Sequence, residues 1–203
     1  MLFTDSYNQI QLGKLGFYRE LGSKFIAYPF LVYNKKDIND KISFVKKKER
    51  SANHYCYAYI LHPDSSITRA NDGGEPNSSA GKPILNQLRK FELTNVLVVV
   101  VRHFGGKKLG IPGLIRSYKN ATNDSLQRSI IINKKIMEQY DIEFNQEEMS
   151  FVMSFIKNNN IDIYRNLYMS KNKLTINVQK NKSIDMLRLF KEKKIKILYK
   201  KIV

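Results

Sequence analysis

The sequence predicts an α+β protein of two domains, residues 1–133 and 134–203, on three observations. Residues 96–101, Val-Leu-Val-Val-Val-Val, form an unbroken apolar run, which suits a strand covered on both faces. Glycine-rich polar loops and helices with apolar stripes bracket that run, so it forms the centre of the first domain. Beyond Asn133-Lys134-Lys135 the pattern resets to strand, helix, strand, strand, helix, strand, which is the ferredoxin-like order.

Each element follows from its local pattern. Residues 15–20 and 24–33 alternate apolar and polar side chains and read as two strands, with Leu21-Gly22-Ser23 as the turn between them. Asn34 caps a helix running to about residue 50, its buried face carrying Ile38, Ile42 and Val45. Lys46-Lys47-Lys48 complements the negative end of that helix dipole. Along the next strand, residues 54–61, His54, Cys56 and Ala58 share one face and Tyr55, Tyr57 and Tyr59 the other. Residues 63–81 read as a long loop rich in Ser, Asn, Asp and Gly, and loops of that length in compact domains are functional or disordered.

Pro83 suits the first position of a helix whose stripe is Ile84, Leu85, Leu88 and Phe91. After the central strand a helix from Pro112 presents Leu114, Ile115, Tyr118, Ala121 and Leu126 inward, with Arg116, Lys119 and Asn123 at its margin or outside. In the second domain the strands fall at 136–144, 161–169, 174–180 and 195–203, with a turn at Lys171-Asn172-Lys173 and helices at 145–160 and 183–193. Asn145 and Glu148 have capping-box spacing.

Chemistry concentrates at the end of the central strand. Gly105, Gly106, Gly110 and Gly113 lie among Arg102, Lys107, Lys108 and Arg116, so backbone amides, cations and a helix N-terminus can converge on an anion. Other sites match poorly. A phosphate loop fails at Pro76 and Pro83, where glycine and a hydroxyl are needed, and Gly105–Gly110 lacks the dinucleotide spacing. His54 and Cys56 two apart lack a third group to orient them as base and nucleophile. His54, His62, His103 and Cys56 show no paired metal-ligand spacing, so neither metal nor cofactor is expected.

Three stretches carry a family resemblance. Asn71-Asp72-Gly73-Gly74-Glu75-Pro76, then the valine strand with Arg102-His103-Phe104-Gly105-Gly106, then Leu109-Gly110 and Gly113-Leu114 resemble the IMPACT family in its bacterial, YigZ-like form. His54-Tyr55-Cys56-Tyr57-Ala58-Tyr59 and Ser23-Lys24-Phe25-Ile26 are similar to its weaker upstream signatures. The chain departs at Gly73, where a second Asp is usual, at Ser78, where Gly is common, and at Pro112, often Gly. The resemblance implies a first domain of the α/β sandwich type shared with a ribosomal protein and domain four of elongation factor G. It also implies a ferredoxin-like second domain resembling a ribosome-facing domain of that factor, and a role in regulating protein synthesis.

The expected function is a non-enzymatic module that engages the ribosome or structured RNA. Its candidate contacts are Asp72, Glu75, Ser78, Ser79, Arg102 and His103, with Gly105, Gly106, Lys107, Gly110, Arg116 and Lys119 beyond the strand. The alternative is an enzyme acting on a phosphate-bearing small molecule at the same loops, suggested by Pro76-Asn77-Ser78-Ser79-Ala80.

Composition agrees with a polyanionic partner. The 203 residues are 42% hydrophobic, as globular chains are, yet carry a formal charge of +17. Both parts contribute: residues 1–133 hold 20 Lys and Arg against 10 Asp and Glu, and residues 134–203 hold 15 against 8. Heavy use of Lys, Asn and Ile without Trp is also how an AT-rich coding bias reads. The lone Cys56 fits a reducing compartment, and no apolar run approaches the roughly 20 residues of a membrane span, so a cytoplasmic protein without a membrane partner is expected.

Overall fold

The computed structural model describes residues 5–168 and 172–203. The chain forms two compact units, Tyr7–Lys134 and Lys135–Val203, the latter joined by Asp5 and Ser6.

In the first unit, strands β1 (Ser6–Leu12), β2 (Gly16–Glu20) and β3 (Ser23–Leu31) precede helix α1 (Lys35–Lys48). There follow β4 (His54–Leu61), β5 (Ile67–Asn71), α2 (Gly81–Lys90), β6 (Val96–His103), α3 (Gly110–Arg128) and β7 (Ile130–Lys135). The main sheet has the order β2-β3-β6-β4-β5 and is antiparallel throughout. Leu21 and Gly22 both have positive φ, 44° and 82°, as a two-residue type I′ hairpin requires.

The valine run of β6 is central, and its alternate residues enter different cores. Leu97, Val99 and Val101 pack with Ile38 and Val45 of α1, while Val96, Val98 and Val100 pack with Ile84 and Leu88 of α2 and with Leu114 and Tyr118 of α3. A strand apolar at every position therefore needs helices on both faces, and it has them. Asn34 caps α1, accepting the Asp37 N–H at 2.9 Å.

Two expectations are corrected and one pairing was not foreseen. Residues 63–81 are not all loop: β5 pairs with β4, but its side chains are mostly exposed, so no apolar alternation betrays it. β1 and β7 pair with each other across more than a hundred residues, a contact no local pattern reports. α3 begins at Gly110, two residues before Pro112, and Ile115 is exposed at 39% instead of facing inward.

The second unit comprises β8 (Met137–Phe144), α4 (Met149–Asn158), β9 (Asp162–Tyr168), β10 (Asn172–Gln179), α5 (Lys180–Glu192) and β11 (Lys196–Ile202). Its sheet order, β11-β8-β10-β9, with antiparallel neighbours, is the ferredoxin-like arrangement. Asn145 and Glu148 form the expected capping box, but on a 3₁₀ turn, Gln146–Glu148, ahead of α4. Tyr140, Ile142, Leu174 and Ile176 turn inward against Val152 of α4 and Phe190 of α5. The opposite face carries the intervening polar residues. Met169 and Lys171 of the expected strand and turn, like the first four residues, lie outside the described residues, while Asn172 and Lys173, expected in the turn, already pair in β10. Among the described residues no helix is long and apolar enough to cross a membrane.

Candidate functional site

The segment following β5 folds back onto the start of α2 around a single carboxylate. Asp72 Oδ1 accepts the N–H groups of Ala80 (3.0 Å) and Gly81 (2.8 Å), and Oδ2 accepts that of Ser78 (3.0 Å). Those amides and the helix dipole form the anion site that a phosphate would need. The protein's own carboxylate fills it. Ser79, fully buried, donates its hydroxyl to the Pro76 carbonyl at 2.6 Å.

Glu75 is turned inward, its side chain only 3% exposed. Its Oε1 accepts Arg102 Nη1 at 2.8 Å and the Tyr118 hydroxyl at 2.9 Å. Arg102, itself buried, also reaches Ser23 Oγ at 3.4 Å, and its guanidinium lies over the rings of Phe25 and Phe104. The carboxylate partner of Arg102 is thus internal, and Arg102 is not displayed to solvent. The loop bearing Glu75 does meet the end of β6, through that ion pair.

The remaining reactive groups are similarly committed. Cys56 Sγ lies 2.9 Å from the Asp72 carbonyl and 3.2 Å from the Tyr118 hydroxyl. Burial pushes the thiol up to about 12, so it is protonated and inert near neutral pH. Burial likewise raises the Tyr118 phenol. His54 Nδ1 is 3.1 Å from the Gly73 carbonyl, which can only accept, so Nδ1 carries the proton. Its Nε2 lies 4.0 Å from Glu75. His103 Nε2 pairs with Glu49 at 3.0 Å. Burial alone would raise the Glu49 carboxyl, but hydrogen bonds from Tyr28 and His103 outweigh it and hold it below its ordinary range. Among the described residues no three His, Cys, Asp or Glu converge as metal ligands.

The glycines serve the backbone. A Cβ on Gly105 would fall 1.9 Å from the Gly22 carbonyl carbon, so the loop after β6 rests directly on the β2–β3 turn, and Gly105 N–H donates to Ser23 Oγ at 3.2 Å. Gly106 (φ 85°) and Gly110 (φ 68°) supply left-handed turns. Of the departures from the family pattern, Gly73 has a local reason, and Ser78 stands where the backbone favours the glycine common there. Gly73 (φ 54°) sits where a Cβ would meet the Tyr55 carbonyl oxygen at 2.4 Å, and Ser78 holds φ 61°, a conformation glycine adopts freely.

Arg116 near the start of α3 opposes the helix dipole, and an acid answers it. Glu20 at the end of β2 accepts from Arg116 and from Ser117 Oγ (3.0 Å), and the Arg116 hydrogen bonds are the main cause of its carboxyl lying below the ordinary range. Lys107 and Lys119 stand outward, and neither lies within 4 Å of a carboxylate among the described residues. Sequence reasoning missed Tyr118, Ser23 and Glu20 as partners of this cluster because each is distant in sequence and of a type common in any core or turn.

The pattern of the Impact N-terminal domain matches residues 21–126, just over half of the chain, and spans the elements that build this cluster. The chain belongs to the IMPACT family. It is 37% identical over 115 residues to the IMPACT family member YvyE of Bacillus subtilis (strain 168), covering 57% of this chain and 53% of that protein. To the IMPACT family member YigZ of Escherichia coli (strain K12) it is 28% identical over 117 residues, covering 57% of each. The chain thus spans between about half and three-fifths of the length of these curated relatives. A crystal structure described as that of a hypothetical protein matches 98% of this chain and 99% of its own with a TM-score of 0.75 at 22% identity, a likeness of fold.

Proposed function

We propose that this IMPACT-family chain is a non-enzymatic module that engages the ribosome or structured RNA and so acts on protein synthesis. The observation that carries the reading is that the acids, thiol and buried arginine of the candidate site bind one another, while lysines remain outside. Asp72 caps α2, Glu75 holds Arg102, and Cys56 is a buried thiol, which leaves no activated nucleophile beside a base at this site among the described residues. An enzyme for a phosphate-bearing substrate could not use the α2 N-terminus, which Asp72 occupies. Support for a polyanionic partner comes from the charge of +17, contributed by both parts of the chain. The family's link to protein synthesis supplies the partner class.

Co-sedimentation with ribosomes over a salt series, with heparin and unrelated RNA as competitors, tests this. Affinity should fall steeply with salt, and Lys107→Ala or Lys119→Ala should each lower the log-log slope by about 1. Ribosome binding no tighter than heparin binding, and indifferent to both substitutions, would refute it.

A further inference from the structure

In the second unit, two irregularities bring unlike side chains to one place on the polar face of the sheet. The β9–β10 register runs Arg165↔Thr175 and then Ile163↔Ile176, leaving Tyr164 as the extra residue of a bulge. The β11–β8 register runs Tyr199↔Tyr140 and then Lys201↔Gln139, leaving Lys200 as the extra residue of another. β9 and β11 are the two edge strands, and bulges there re-aim side chains. Tyr164 and Lys200 both line one cavity of about 270 Å³, together with Arg165 and Lys173.

The floor of that cavity is Asp141 on β8, with Thr175 and Gln139 beside it. Asp141 is 8% exposed and accepts the Thr175 hydroxyl at 2.7 Å. It holds the ammonium group of Lys200 at 3.4 Å and, together with Glu143 at 3.4 Å, that of Lys173 at 3.7 Å, fixing two cations at the cavity wall. Burial alone would raise its carboxyl; the Thr175 and Lys200 hydrogen bonds prevail and hold it lowered. Arg165 has no carboxylate within 4 Å among the described residues. Tyr164 is 70% exposed, so its ring contributes little to the core and stands available to a planar ligand.

We propose that this bulge-built cavity is a binding platform for single-stranded RNA, one base stacking on Tyr164 and its flanking phosphates meeting Arg165, Lys173 and Lys200. A stacking ring needs a base face, which a duplex hides and a single strand offers. Pre-set cations beside an exposed aromatic are what backbone tracking and stacking require together. This inference rests on the RNA-binding reading above and locates it on a surface of the second unit.

The test is fluorescence anisotropy of the full chain with a short labelled oligouridylate over a salt series, beside duplex RNA and polyglutamate as competitors. Tyr164→Ala should weaken oligouridylate binding about 5- to 150-fold, and Tyr164→Phe should leave it nearly unchanged. Lys200→Ala should lower the log-log salt slope by about 0.7. Both positions are exposed enough that circular dichroism should match the parent. Parent binding that neither Tyr164→Ala nor Lys200→Ala changes, or that polyglutamate displaces as readily as RNA does, overturns the platform. If ribosome co-sedimentation persists in that case, the broader reading stands without it; if the parent binds neither oligouridylate nor ribosomes, both fall.

Discussion

Replacing Glu75 by Gln should destabilise the first unit severely, because it removes the charge that answers Arg102 in a site with almost no solvent. The two side chains are 3% and 6% exposed and 2.8 Å apart, and the Tyr118 hydroxyl shares the same carboxylate oxygen. Charge centres about 4 Å apart at an effective dielectric of about 20 attract by about 4 kcal/mol, and breaking a buried pair from one side costs about 3–5 kcal/mol. At roughly 3 °C per kcal/mol for a unit of this size, the melting temperature should fall by about 10–15 °C. A double-mutant cycle separates the pair from its surroundings: Glu75→Gln with Arg102→Met should cost about 1–3 kcal/mol less than the two single changes summed. Calorimetry of the parent, both single variants and the double variant measures this. A melting temperature within about 2 °C of the parent for Glu75→Gln, with ribosome association lost, would refute the reasoning and make Glu75 a contact residue instead of a structural one.

Other outcomes follow from the same geometry. Asp72→Ala leaves three N–H groups without their acceptor and should cost about 2 kcal/mol, measured by urea unfolding, whereas Ser78→Gly should be neutral or stabilising by up to about 1 kcal/mol. Gly105→Ala should prevent the loop from seating on Gly22 and cost more than about 3 kcal/mol, while Gly106→Ala, with open space around it, should cost only the roughly 1–2 kcal/mol of its positive φ; equal losses would count against the packing argument. Glu49 and Asp141 both have folded pKa values below their unfolded values of 4.5 and 3.8, so their stabilisation is present above those values and is lost as pH falls through the folded ones. Thermal melts should therefore worsen below about pH 4.5, less so for Tyr28→Phe, and flat melts down to pH 3 would contradict this. Cys56 should resist thiol reagents at pH 8 until the chain unfolds, and fast labelling of the native protein would show that the thiol is not buried.

The two-core character of the first unit was legible in the sequence alone, because a strand apolar at six consecutive positions has no face left for water. The ferredoxin-like order of the second was legible for a similar reason: periods of two and of 3.6 alternate there with clear turns between them. Family membership was legible in the ordered glycine and acid motifs. What those motifs do was not. Sequence places Asp72, Glu75 and Arg102 near a strand end as equal candidates for an external anion. Only the tertiary structure decides that Asp72 Oδ1 reaches the amides of α2 and that Glu75 turns in to Arg102. That choice depends on Tyr118, 43 residues beyond Glu75, and on Ser23, 79 residues before Arg102, contacts with no local signature. β1 and β7 were missed likewise, since each strand's partner is at the far end of its unit. The bulges that bring Tyr164 and Lys200 together are a property of register between strands, and register exists only once the strands have paired.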